Sequence, residues 1–399
     1  MLNIVFYFQV HQPYRLTHLN LLNLGSERDY FDRKLNEKII RRVAERCYLP
    51  TNALLLKLIQ RHGERFKVAF SITGTAIEQL REYAPEVMDS FRALVNTGCV
   101  EMIGETYFHS LASLYDTDEF LDQVQMHRDL MKQEFGVTPT VFRNTELIYQ
   151  DIISSLIYEI EGFRVILTEG ADKVLQWRSP LYAYRNYSKE IMLLLKHYKL
   201  SDDIAFRFSD AKWKEYPLTA EKYVHWILQH TLAEKQSRNQ FLNLFLDYET
   251  FGEHQWAETG IFRFLERLPE TVLAQPNLGF CHPSEVESLT NYQPESISFP
   301  EPVSWADLAR DLSAWTENDM QKNALETLYH LIRIVKRAER PDLLRILRQL
   351  STSDHFYYMS TKYFSDGDVH KYFSPYDSPE QAYIYFTNAL ADIEERLKS

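Results

Sequence analysis

The chain is 399 residues long, 45% hydrophobic and 25% charged, with 56 acidic against 44 basic residues and a net charge of −12. That length carries a large domain with a full core, and the acidic balance argues against a nucleic-acid groove or an anionic membrane surface as a partner. Cys47, Cys99 and Cys281 are odd in number and show no CxxC spacing, which argues against a disulfide framework or a structural zinc site.

The chain opens on "MLNIVFYFQVHQP", with no basic leader region and no small-residue cleavage site. No stretch reaches the roughly 18 apolar residues of a membrane span, so a soluble, cytoplasmic protein is expected. Short runs rich in β-branched and aromatic residues follow at 3–10, 66–73, 99–104, 140–145, 163–168, 191–198 and 241–247, and read as buried or half-buried strands. Helix-length amphipathic patterns separate several of them. The segment 117–136 is one, with Thr117 as its cap, acids in its first turn and Gly136 at its stop.

About seven strands alternating with helices predict the α/β class, an incomplete (β/α)7 barrel of the TIM-barrel type. An open doubly wound sheet is the alternative, but no GxGxxG follows the first strand and no P-loop occurs. From about residue 304 the pattern is helical only. The expected layout is a catalytic barrel over 1–300 and a helical bundle over 301–399 that contributes to the cleft. No heptad seam is sustained, so no oligomeric contact is assigned.

In parallel barrels the reacting groups gather just beyond the carboxyl ends of the strands. Here the polar residues follow that rule. The first strand ends in His11-Gln12-Pro13, the third runs through Glu101 and Glu105 to His109, the fourth ends in Arg143-Asn144-Thr145-Glu146, and the last ends in Asp247-Tyr248-Glu249. One acid at a strand end is most often a solvated cap or an ion-pair partner; four such sites weaken that explanation. Cleavage of a glycosidic bond needs two carboxyls on one cleft, one neutral and one ionised, and Glu146 and Asp247 are the best candidates. The 25 Tyr, 24 Phe and 6 Trp fit either a buried aromatic core or sugar stacking.

Metal chemistry would compete for the same residue types. Yet none of the 13 His forms an HxxxH or HExxH pair, and His225 and His230 stand five apart, off any shared helix face. No GxSxG elbow is present either. No metal and no cofactor is expected.

At these residues the sequence resembles glycoside hydrolase family 57, the α-amylase type, over nearly its whole length. Five short regions carry the likeness in order: His11-Gln12-Pro13; "GCVE", with Glu101, continuing into "ETYFHSL" with His109; "FRNTELIY"; "DYETFGEH"; and "AWTENDMQ". The tract 352–378 resembles the C-terminal part of the family's amylases. The resemblance implies a retaining, double-displacement mechanism on α-glucans, with Glu146 as nucleophile and Asp247 as general acid/base. It also implies substrate contacts from His11, Gln12, Glu101, His109, Glu249 and Asp319, with Trp315 as a stacking platform beside the fifth region. Trp177, Trp256 and Trp305 are weaker candidates for stacking. "FRNTE" departs from the Trp and Pro that many members carry before the Glu, which favours the amylase branch over the glucanotransferase and branching-enzyme branches. The same chemistry with a sugar acceptor, and a non-catalytic glucan-binding relative, are the competing readings.

Overall fold

The computed structural model describes residues 1–19, 29–232, 238–362 and 374–398; residues 363–373 of the 352–378 tract lie outside these. Among the described residues nine strands are present: β1 Leu2–Val10, β2 Val68–Ile72, β3 Val100–Met102, β4 Val141–Arg143, β5 Val165–Glu169, β6 Tyr184–Arg185, β7 Met192–Lys196, β8 Gln240–Asp247 and β9 Leu278–Phe280. All seven runs read from the sequence appear, trimmed or extended by a few residues. The two-residue β6 lacks the length to give a periodic signal; β9, as short as β3 and β4, is not among the runs read from the sequence.

The strands form two arcs. One has the order β3-β2-β1-β8, with β9 beside the start of β1, and the other has the order β4-β5-β7-β6. Every pairing is parallel except β6 with β7. A parallel bridge between Gly104 and Phe142 links the arcs on one side. On the other, His197 donates its backbone N–H to the Asn243 carbonyl at 2.8 Å and the Asn243 amide donates to the Leu195 carbonyl at 2.9 Å. The order of the parallel strands around the axis is therefore β1, β2, β3, β4, β5, β7, β8, the barrel-like arrangement expected.

Every residue of β1 is buried, yet the period-two alternation survives. Ile4, Phe6, Phe8 and Val10 pack outward under helices Leu49–His62, Gly74–Tyr83 and Ile261–Leu273. Val5 and Tyr7 point inward and join Ala69, Ile103, Val141, Leu167, Leu194 and Phe245 in the axial core. The outer faces of the second arc, Phe142, Ile166 and Leu193, share one core with Leu325, Leu328 and Phe386 of helices Asp319–Arg337 and Pro379–Lys398. That shared core fixes where the chain beyond residue 300 meets the strand ends.

Helix Thr117–Phe135 ends on Gly136 in the left-handed region, as read, but its cap is Asp116, whose carboxylate accepts from the Glu119 N–H. Among the described residues no helix is long and apolar enough to cross a membrane.

Candidate active site

Inward alternation carries polar side chains to the carboxyl ends of the strands: Gln9 from β1, Glu105 just after β3, Arg143 from β4, Glu169 from β5, Lys196 from β7 and Asp247 from β8. Most of these are buried; Asp247, like Glu146 just past β4, keeps partial exposure. Polar groups that ring the top of an apolar axis and stay reachable from one side form a cleft floor.

Glu146 follows β4 in a turn where both it and Leu147 adopt positive φ, 57° and 52°. Two consecutive non-glycine residues in that region are uncommon and store strain of about 1–3 kcal/mol each. What holds them is on both sides. Leu147 plugs into the axial core, and the Glu146 carboxylate is bonded at both oxygens. Ser353 Oγ donates to Oε1 at 2.8 Å, His109 Nε2 lies 3.3 Å from the same oxygen, and Trp305 Nε1 donates to Oε2 at 2.6 Å. Burial favours the neutral acid, but the His109 hydrogen bond and charge outweigh it and hold the carboxyl below its ordinary value.

His109 is the middle of a chain. Its Nδ1 lies 3.2 Å from Glu105, which accepts from the Gln9 amide at 3.0 Å. Burial opposes the imidazolium, yet bonds to Glu105 and Glu146 raise the ring to about 9, and they lower Glu105 to about 2 against its own burial. His11 stacks on His109 with centroids 4.0 Å apart and bonds Thr73 Oγ1 at 3.0 Å and Asp354 at 2.9 Å. Burial, then the His109 charge, lowers its pKa. The pair works as one cation and one neutral ring, with Nε2–H of His11 donating to Asp354.

Asp247 ends β8 beside Gln9 of β1. Burial first, then the charge of Glu146, pushes its carboxyl up to about 6, against the pull of Arg143, Lys196 and His109. The strand stops at Asp247 and does not continue to Glu249. A tight turn over Tyr248–Thr250 directs Glu249 to the Tyr48 hydroxyl and, at 3.4 Å, the Gln12 amide. Burial, then Asp247, raises it to about 8. Tyr48 reaches it from a π-helical turn over Ala44–Tyr48, a device found often at functional sites. Glu253 pairs with Arg42 at 2.6 Å, in keeping with a locally paired acid.

The glycine of "FGEH" makes this approach possible. Gly252 has φ 113°, and a Cβ there would sit 2.0 Å from the Arg46 carbonyl oxygen, two residues before Tyr48. Gly252→Ala is expected to destabilise the fold by about 2 kcal/mol or more, from strain plus the clash. Thermal or urea unfolding measures it; an unchanged midpoint would contradict this role.

Three of the expected substrate contacts are not brought to the cluster. Glu101, Ile103 and Glu105 share the inward face, but Glu101 lies roughly 13 Å of extended chain below Glu105. It accepts from the Ser284 N–H at 3.1 Å, and burial pushes it to about 7. Trp315 is buried in the core shared with the helical part and packs near Tyr357. Asp319 is exposed in the first turn of its helix, and Asn318 before it forms a capping box with Gln321. His11, Gln12, His109 and Glu249 do gather around Glu146 and Asp247.

The model of the family described as "Glycosyl hydrolase family 57" matches residues 5–300. A protein of Methanocaldococcus jannaschii named "Putative alpha-amylase" is 42% identical over 99% of this chain and 85% of its own. The chain belongs to glycosyl hydrolase family 57. Two solved structures share the fold at 16% identity. A branching enzyme from Pyrococcus horikoshii has a TM-score of 0.73, over 99% of this chain and 94% of its own. A 4-alpha-glucanotransferase from Thermococcus litoralis has a TM-score of 0.65, over 89% of this chain; this chain spans only 56% of its length.

Within this family 57 chain, Ser353 and Asp354 were not singled out from the sequence. They sit in the 352–378 tract, where strand-end logic does not apply and only the likeness to the family's amylases drew attention. Lys196, 3.4 Å from Asp202 and 3.8 Å from Glu169, ends a strand and was open to the same rule as Asp247. Trp305, rather than Trp315, is the tryptophan on the Glu146 carboxylate.

Proposed function

We propose that this family 57 chain is a retaining α-amylase that hydrolyses α-1,4 bonds in starch, glycogen or maltodextrins, with Glu146 as nucleophile and Asp247 as general acid/base. One observation carries the reading: two partly exposed carboxyls, Glu146 just past β4 and Asp247 at the end of β8, feel each other's charge and have opposite proton demands, Glu146 held ionised and Asp247 held protonated toward pH 6.

In the first step Glu146 attacks the anomeric carbon while the Asp247 proton passes to the leaving glycosidic oxygen; a glycosyl ester forms and the C–O bond breaks. In the second step the Asp247 carboxylate takes a proton from water, the hydroxide oxygen bonds to the anomeric carbon, and Glu146 leaves as carboxylate. His109 and Ser353, bonded to Oε1, leave Oε2 as the attacking atom once the Trp305 N–H yields it. His11, Gln12, His109 and Glu249 are the groups for sugar hydroxyls. The division into a catalytic part, 1–300, and a helical part, 301–399, belongs to this reading, with Ser353 and Asp354 supplied by the second.

A sugar hydroxyl in place of water gives transfer, and the fold this chain shares with a glucanotransferase and a branching enzyme supports that as the second reading. Products from maltooligosaccharides decide it. Hydrolysis yields shorter chains and a net gain of reducing ends, whereas chains longer than the substrate without that gain would replace the amylase reading by transfer.

The pH dependence follows from the two acids. Below the depressed value of Glu146 the nucleophile is neutral, and above about 6 Asp247 has lost the proton it must donate. kcat/KM should therefore be bell-shaped, falling as pH rises through about 6. A profile flat from pH 5 to 8 would break the assignment.

A further inference from the structure

Arg143 is fully buried, and none of its three guanidinium nitrogens has a hydrogen-bond partner among the described residues. A guanidinium cannot shed its charge, and an unpaired buried cation is disfavoured unless neighbouring charges compensate it. The Trp305 ring covers it, 4.8 Å from the guanidinium carbon, and the same ring lies 5.2 Å from Lys196 Nζ. Trp305 also carries the N–H bonded to Glu146. The cation is thus shut off from solvent by the side chain that touches the nucleophile.

Other cations near the pair are already committed. Lys196 is divided between Asp202 and Glu169, and His109 bridges Glu105 and Glu146. The groups that feel Arg143 are Tyr7 from β1, Glu105 and His109 beyond β3, Glu146 beyond its own strand and Asp247 from β8. With no dedicated counter-ion, its field is shared among the acids, and burial keeps that field strong.

We propose that Arg143, sealed under Trp305, is a shared positive charge that places the pH window in which Glu146 is ionised while Asp247 keeps its proton, as a positioning residue and not a substrate contact. The direction of its effect agrees: it lowers the pKa of both acids. Without it Glu146 would need a higher pH to ionise, and Asp247 would keep its proton to a higher pH.

The proposal rests on the amylase reading and is tested on the full chain with Arg143→Met and Arg143→Lys, each checked for a cooperative thermal transition. In Arg143→Met both limbs of the kcat/KM profile are expected to move up by about one pH unit or more. Arg143→Lys, which keeps a charge, should hold both limbs near their wild-type positions even where its rate falls. A folded Met variant with reduced rate and unmoved limbs would overturn the proposal, as would a Lys variant whose limbs move as far as those of Met. Should Met not fold, Arg143→Gln carries the same comparison. Carboxyl-13C aspartate labelling, with the Asp247 resonance assigned by Asp247→Asn, reads the shift without turnover. Absence of wild-type turnover would count against the amylase reading, and an unshifted Asp247 titration in Arg143→Met against this one.

Discussion

Glu146→Gln is expected to lower kcat on a maltooligosaccharide by about 10^4-fold or more, measured as reducing ends released. The amide keeps the shape of the carboxylate but cannot form the glycosyl ester. It also disturbs its surroundings. Both carboxylate oxygens accept bonds, from Ser353 and His109 at one and from Trp305 at the other, so either amide orientation sets an N–H against a donor. His109 loses one of the two carboxylates that raise its pKa. Its contribution to folding stability, present below the ordinary imidazole value and lost as pH rises through about 9, should shrink. Activity loss alone therefore does not isolate the nucleophile. Glu146→Ala supplied with azide and an aryl α-glucoside tests the covalent step itself. A retaining enzyme should release a glucosyl azide of inverted anomeric configuration, because azide attacks the face that the carboxylate used. Glu146→Gln with rates near wild type would end the assignment; equal and negligible rates in both proteins would point to a glucan-binding role without turnover.

Asp247→Asn should lose about 10^2- to 10^4-fold in kcat on glucans, with a pattern that depends on the leaving group. An alkoxide sugar needs the proton, whereas a nitrophenolate does not. An aryl substrate should therefore be attacked at a much less diminished rate and then stall as the glycosyl-enzyme, visible as a burst of phenolate. The alkaline limb near pH 6 should vanish with the group that produces it. A variant that keeps that limb would show that a different acid serves the reaction. Glu249, raised to about 8 and bonded to Tyr48, would be the next to test.

Much of this site was legible in the amino-acid sequence because periodicity and strand ends are local properties. Runs such as 3–10 and 241–247 are apolar almost throughout, as strands buried on both faces are, and the carboxyl end of a parallel strand is where its polar residues collect. Glu146, Asp247, His11, Gln12, His109 and Glu249 all follow from that rule or from the regions that resemble the family. Period two assigns a face but not a height. Glu101 within β3 and Glu105 just beyond it face the same side, and only the packing of Ser284 against the lower end separated them. Asp319, expected from the sequence to contact substrate, stands in the first turn of a helix that Asn318 and Gln321 cap, a placement its local sequence pattern does not distinguish from a cleft motif.

The remainder is non-local. Ser353 meets a carboxylate 207 positions earlier and Trp305 one 159 positions earlier, through a core that joins the helices after residue 300 to β4, β5 and β7. No local pattern encodes such a meeting. Sequence by itself determined the class of fold and the strand ends at which the two candidate carboxyls stand. Tertiary structure decided which groups hold each carboxyl ionised or protonated, because a pKa depends on burial and on charges brought close from distant segments.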